Sequence, residues 1–187
     1  MILITGLGNP GKEFLKTRHN VGFDIVDSIH SEFNFPEFSE KFDSLYSKKT
    51  LYGEIIVIQK PMSYMNLSGD PVKKIFNFFK INDTENIFIF HDDLDLEFSS
   101  IKIKRSGGHG GHNGIKNIIE LIGPNFNRIK LGIKNSFYKE RNIDAEKFVL
   151  DKFNLEELEV IEIIKKKIIL NLKDLIIKDF SSFKNNF

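Results

Sequence analysis

Short apolar runs that break off at polar clusters dominate this 187-residue chain. Met1 to Thr5 is a β-type run ending at Gly6-Leu7-Gly8-Asn9-Pro10-Gly11, a strong turn signal. Ile87-Phe88-Ile89-Phe90 runs as a buried-type strand straight into His91-Asp92-Asp93. Between them Val21, Phe23, Ile25, Val26 and Ile29 fall at helical spacing, and residues 43–60 read as two strands bending at Gly53-Glu54. Ser68, Gly69, Asp70 and Pro71 open a helix that carries Val72, Ile75, Phe76 and Phe79. Ile101 to Lys104 and Arg128 to Lys134 alternate as half-buried strands do, with a glycine loop and a helix from about His112 to Ile122 between them. A last helical stripe holds Leu158, Ile161, Ile164, Ile168, Leu172 and Leu175. Alternating strands and helices predict an α/β fold: a single three-layer domain over residues 1–187, with a mixed, mostly parallel twisted sheet flanked by helices.

No run approaches the ~18 apolar residues of a membrane span, and MILITGLGNPG, with neither a basic leader nor a small-residue cleavage site, is not expected to be a signal peptide. The chain has no cysteine, which excludes disulfides, thiolate metal sites and Cys nucleophiles, and suits a reducing, cytoplasmic setting.

Gly6, Gly8 and Gly11 satisfy G-x-G-x-x-G after a strand, as in a dinucleotide site. That site also needs a helix opening inside the motif, and Pro10 disfavours helical geometry at Asn9. The better reading is a rigid loop that fixes the Asn9 side chain, with no cofactor. Sites in open α/β sheets form beyond the carboxyl ends of strands, and two such ends are polar here. One delivers Asn9, with Arg18-His19-Asn20 soon after; the other delivers His91-Asp92-Asp93-Leu94-Asp95. A histidine beside a carboxylate is a standard general base, and without Cys or a Gly-x-Ser-x-Gly elbow the nucleophile is water. The carboxylates with His91 also suit Mg²⁺, and His109 and His112 a metal, although their spacing is a weak signal. Sequence spacing alone does not bring His19 to Asp92.

Near-neutral charge, +1 from 27 basic and 26 acidic residues, conceals a pattern. Residues 99–141 hold nine basic groups (Lys102, Lys104, Arg105, Lys116, Arg128, Lys130, Lys134, Lys139, Arg141) and two acids, a block of +7 against −6 elsewhere. Basic residues alternating on two strands would make a phosphate-binding patch; a solvated strand face is the other reading.

Taken together, GLGNPGKEF, TRHNVGFDIVD, KPMSYMNLSG, HDDLDL, SGGHGGHNGIKNI and, more weakly, FNRIKLGIKN resemble the bacterial peptidyl-tRNA hydrolase family in order and spacing. The resemblance is clear over about residues 1–135. It implies a metal-free, monomeric hydrolase that cleaves the ester between peptide and tRNA, with a non-catalytic RNA-binding relative as the alternative. It matches His19 to the histidine that activates water, Asp92 to the carboxylate that orients it, and Asn9 to the asparagine that positions water and ester. Phe14, Met65, Asn66 and Asn113 match substrate-contacting positions. Lys102, Lys104, Arg105 and Lys130 fall in the tRNA-binding region, with Lys104 and Lys130 matched to a pair that holds the 5′ phosphate of the acceptor stem. Phe14 stands where the family usually has Tyr, and Lys130 where Arg is common. Phe98-Ser99-Ser100 lacks a usual glycine, and Lys134-Asn135-Ser136 replaces a Gly-Arg-Pro-like run.

Overall fold

A computed structural model describes residues 1–141 and 143–187. Its seven strands are β1 (Ile2–Gly6), β2 (Ser39–Lys41), β3 (Ser44–Leu51), β4 (Glu54–Pro61), β5 (Ile87–Glu97), β6 (Ile101–Arg105) and β7 (Asn127–Lys134), in the order β2-β3-β4-β1-β5-β7-β6. The central strands β4, β1, β5 and β7 are parallel; β2, β3 and β6 join antiparallel at the edges. The helices are α1 (Val21–Glu32), α2 (Gly69–Phe78), α3 (Asn113–Ile122), α4 (Ser136–Arg141), α5 (Ala145–Leu150), α6 (Leu155–Leu170), α7 (Leu172–Ile176) and α8 (Phe180–Asn185).

Strand alternation makes two cores. Ile4, Ile58, Phe88, Phe90, Ile129 and Leu131 face α1 and α6 to α8, whereas Leu3, Val57, Ile87 and Ile89 face α2 and α3. This is the expected three-layer α/β arrangement, with the parallel strands at its centre. The C-terminal stripe packs on the first face as Ile161, Ile164, Ile168, Leu172 and Leu175. Its helix breaks at Asn171, whose amide turns back to the Lys167 carbonyl at 2.8 Å. Among the described residues no helix is long and apolar enough to cross a membrane.

One local expectation changes. His91, Asp92 and Asp93 do not follow β5 but lie inside it, opposite Lys130, Leu131 and Gly132 of β7. The ladder continues because β7 extends as far as β5 does, and the register shifts only between Asp93 and Glu97. The cap of α3 comes from His112, whose Nδ1 accepts the Ile115 N–H; Asn113 is its first residue.

The glycines after β1 serve packing. The motif leads into a 3-10 turn, Lys12–Phe14, and α1 begins only at Val21, so the motif does not open an α-helix as a dinucleotide fingerprint requires. A Cβ on Gly6 would lie 2.0 Å from the Gly22 carbonyl oxygen, and one on Gly22 would lie 2.4 Å from both the Leu7 nitrogen and the Phe90 oxygen. Helix α1 thereby touches β1 and β5 backbone to backbone, three residues after His19. Gly22→Ala must push these elements apart, and overpacking of this kind costs roughly 1–3 kcal/mol. The expected result is a lower thermal midpoint for the variant; an unchanged one contradicts this packing.

Candidate active site

The carboxyl ends of β1 and β5 meet at a cleft of about 680 Å³ whose lining includes Asn9, Phe14, His19, Met65, Asn66, Asp92, His112 and Asn113. His19 sits in a 3-10 turn, Arg18–Asn20, that leads directly into α1. Asp92 shares the sheet face of Phe90, the side on which α1 lies, and so points toward that turn. The His19 Nδ1 stands 2.8 and 3.0 Å from the two oxygens of Asp92, across 73 residues of sequence. The chain distance that spacing could not bridge is closed by the parallel pairing of β1 with β5.

A second histidine shares the carboxylate. His112 Nε2 lies 3.0 Å from Asp92 Oδ1, and its ring centroid is 4.9 Å from that of His19. Because His112 Nδ1 accepts a backbone N–H at 3.3 Å, its proton resides on Nε2, which donates to Asp92. Asp92 therefore receives one N–H from each ring. Burial alone would push its carboxyl up; the His19 and His112 rings outweigh burial and hold it well below the usual carboxylate range. For His19, burial favours the neutral ring, but Asp92 prevails and raises the pKa above the ordinary 6.5. His91 lies on the opposite face, edge-on to His112, and donates from Nδ1 to the Asp92 carbonyl at 2.6 Å. Burial holds its pKa well down, so it stays neutral.

His19, Asp92 and His112 each offer an atom within 4.8 Å of the others, close enough to suggest a metal. The hydrogen bonds argue otherwise: with Nδ1 accepting the Ile115 N–H, the His112 nitrogen that faces Asp92 is the donor Nε2, which has no lone pair left for an ion.

Asn9 is locked at both ends. Its backbone exchanges hydrogen bonds with the Asn20 side chain at 2.8 and 2.9 Å. Its Oδ1 accepts the Met65 N–H at 2.7 Å, which fixes the amide orientation and leaves the NH₂ as its free donor in the cleft. Met65 is buried, while Asn66 and Asn113 are exposed in the cleft wall. Phe14 forms an edge-to-face pair with Tyr64, centroids 6.5 Å apart, on the same rim.

The basic block divides. Lys102 and Lys104 are exposed on β6, opposite Lys130 and Arg128 of β7. Lys130 pairs with Asp93, whose Oδ1 also accepts the Asp95 and Leu96 N–H groups. Alternation sets Arg105 with Ile101 and Ile103 instead, and it pairs with Glu85. Arg128 is not outward at all: it is buried under the loop that follows β6.

Sequence reasoning passed over two participants. His112 was visible only as a weak metal ligand. Arg18 was only a neighbour of His19, yet it is buried and donates to Glu157 at 2.9 Å, tying the His19 turn to α6. Neither has a signal beyond lying in a motif.

Residues 3–187 match the family model described as peptidyl-tRNA hydrolase. A peptidyl-tRNA hydrolase of Fusobacterium nucleatum is 46% identical over 168 residues, covering 90% of this chain and 85% of the relative. One from Clostridium botulinum is 39% identical over 188 residues, covering 100% and 95%. The crystal structure of peptidyl-tRNA hydrolase from Acinetobacter baumannii superposes with a TM-score of 0.89 at 34% identity, covering 100% of this chain and 93% of that one. Sequence along nearly the whole chain and fold over all of it agree, and the chain belongs to the peptidyl-tRNA hydrolase family.

Proposed function

We propose that this protein, as a single-domain cytoplasmic monomer, hydrolyses the ester between a peptide, or an N-blocked amino acid, and the 3′ end of tRNA. The His19–Asp92 pair in the cleft carries the reading, with Nδ1 held at 2.8 Å and Nε2 left for water. Asp92 accepts the Nδ1 proton and thereby sets the tautomer that places a lone pair on Nε2. Nε2 takes a proton from water as the oxygen attacks the ester carbonyl carbon. Charge develops on the carbonyl oxygen, where the Asn9 NH₂ is placed to donate. When the ester C–O bond breaks, the imidazolium returns its proton to the departing ribose oxygen. Asn66, Asn113, Met65 and Phe14 hold the peptide side, and no step requires a metal.

The tRNA would lie across Lys102 and Lys104, reading backbone and shape, as suits an enzyme that accepts many tRNAs. Lys130 contributes by exchanging part of its contact with Asp93 for phosphate. The deciding experiment is incubation with N-blocked aminoacyl-tRNA: wild-type protein should release the amino acid, and binding without release would leave the RNA-binding alternative.

Affinity for deacylated tRNA should fall as salt rises. Lys102→Ala and Lys104→Ala should each reduce the slope of log affinity against log salt by about 1. Arg105→Ala, already paired with Glu85 on the other face, should leave that slope unchanged. Filter binding across a salt series reads all three, and a salt-independent wild type would remove the patch.

A further inference from the structure

Arg128 is fully buried, and among the described residues no carboxylate pairs with it. Its guanidinium instead donates to three backbone carbonyls: Nη1 to Gly108 at 2.7 Å, and Nη2 to Gly107 at 2.7 Å and Pro124 at 3.3 Å. The group also stands 4.7 Å over the Phe126 ring. A buried cation committed to neutral acceptors is costly unless those contacts are made together.

The location of the acceptors gives the arrangement its meaning. The chain leaves β6, runs through the glycine loop into α3, and returns to β7 as the antiparallel partner of β6. Gly107 and Gly108 stand on the outgoing leg of this excursion and Pro124 on the returning leg. Arg128 thus closes its base. At the far end of the loop, His112 caps α3 and donates to Asp92, and Asn113 lines the cleft. Between the two ends, Gly110 and Gly111 have φ of 58° and 79°, and a Cβ on either would meet nothing within 4 Å. A glycine path so lightly packed takes its course from its anchors.

We infer that Arg128 is a positioning residue for hydrolysis, clamping the start of the loop so that His112 reaches Asp92 and Asn113 reaches the substrate. The role rests on the hydrolytic reading above. It requires arginine: the planar fork serves two consecutive carbonyls at once, whereas a lysine ammonium is a single point on a flexible stem. It also separates Arg128 from the phosphate-binding residues among which its sequence position would group it.

The test compares Arg128→Lys and Arg128→Gln with wild type, using N-blocked aminoacyl-tRNA for rate and deacylated tRNA for affinity. Wild-type release, measured first, tests the hydrolytic reading separately. The clamp predicts a loss of about 10²-fold in kcat from misplacement on the scale of an ångström. The tRNA affinity and its salt slope should stay within about twofold of wild type. The pH at which kcat/KM levels off should also move upward, because Asp92 freed of the His112 N–H holds the His19 proton more tightly. Weaker tRNA binding with a flatter salt slope and intact kcat would make Arg128 a phosphate ligand and overturn the proposal. A lower thermal midpoint with wild-type kcat and pH profile would overturn it as well. Should neither variant fold, Arg128→Ala assayed with millimolar guanidinium chloride offers the missing fork in trans, and absence of any recovered release counts against the clamp.

Discussion

Replacing His19 with alanine should slow release from N-blocked aminoacyl-tRNA by about 10²–10⁴-fold, the range spanned by general bases. Deacylated tRNA should still bind, because Lys102 and Lys104 lie on β6, away from the His19 turn. A normal rate in this variant would remove His19 from the mechanism. The pH profile carries the same argument with a sign. Only neutral His19 accepts a proton from water, and Asp92 raises the His19 pKa above 6.5 against the effect of burial. Wild-type kcat/KM should therefore climb through a pH above 6.5 and then level off. Asp92→Asn removes the charge that prevails over burial, so its inflection should fall below that of wild type while the plateau rate also falls.

Stability has the opposite dependence on pH. His19 has a folded pKa above its unfolded value, so its pairing stabilises fully below 6.5 and fades as pH rises through the folded pKa. Asp92 has a depressed folded pKa, and its contribution is present above 3.8 and lost as pH falls below that value toward the folded pKa. The pair is thus strongest between about pH 4 and 6.5. The difference in thermal midpoint between wild type and His19→Ala should be widest in that window and shrink as pH rises through the folded pKa of His19, the same range in which the neutral ring needed for proton abstraction accumulates. The site is most active where its ion pair does least for the fold.

Much of this was legible because strands and helices announce themselves by period. The runs at Met1–Thr5 and Ile87–Phe90, the stripe of α1 and the alternation in β6 and β7 all report which face turns inward. They do not report what lies above the other face. Arg128 alternates with Ile129 as a solvent-facing residue would, and it is buried because residues 107–108 cross over it. The extension of β5 through His91 to Glu97 was hidden for a related reason. Polar residues end an apolar run, but a parallel neighbour of sufficient length keeps the ladder going, and β7 supplies it. The site residues themselves came from motif resemblance. What the motifs could not give was the partner of each: Asp92 has two histidines, one 73 and the other 20 residues away, and only the sheet order unites them.

The same blindness to distant partners applies to Arg18, and there the expected effect on stability is largest. Arg18 donates to Glu157 at 2.9 Å with both side chains over nine-tenths buried, and its guanidinium lies 4.2 Å from the Phe148 ring centroid. Glu157 is the hub of the contact. Its Oε2 also accepts the Asn154 N–H at 2.9 Å as part of the box that caps α6, and its Oε1 accepts from Asn135 at 2.6 Å. The Arg18 N–H bonds the Asp151 carbonyl at 3.1 Å just beyond α5, whose Val149 and Leu150 wall the cleft. Glu157→Ala would therefore leave a buried guanidinium without its carboxylate, remove one half of the capping box of α6 and loosen that wall together. Removing one member of a buried pair costs roughly 3–5 kcal/mol, and in a chain of this size that lowers the thermal midpoint by about 10 °C. Arg18→Met with Glu157→Met should recover part of the loss, since neither partner then remains as an unpaired charge. If Glu157→Ala melts within about 2 °C of wild type, the network is not what fastens the His19 turn to α6. If it melts early and the double variant melts earlier still by the sum of the single losses, the two residues act separately and the pair is not the unit of stability.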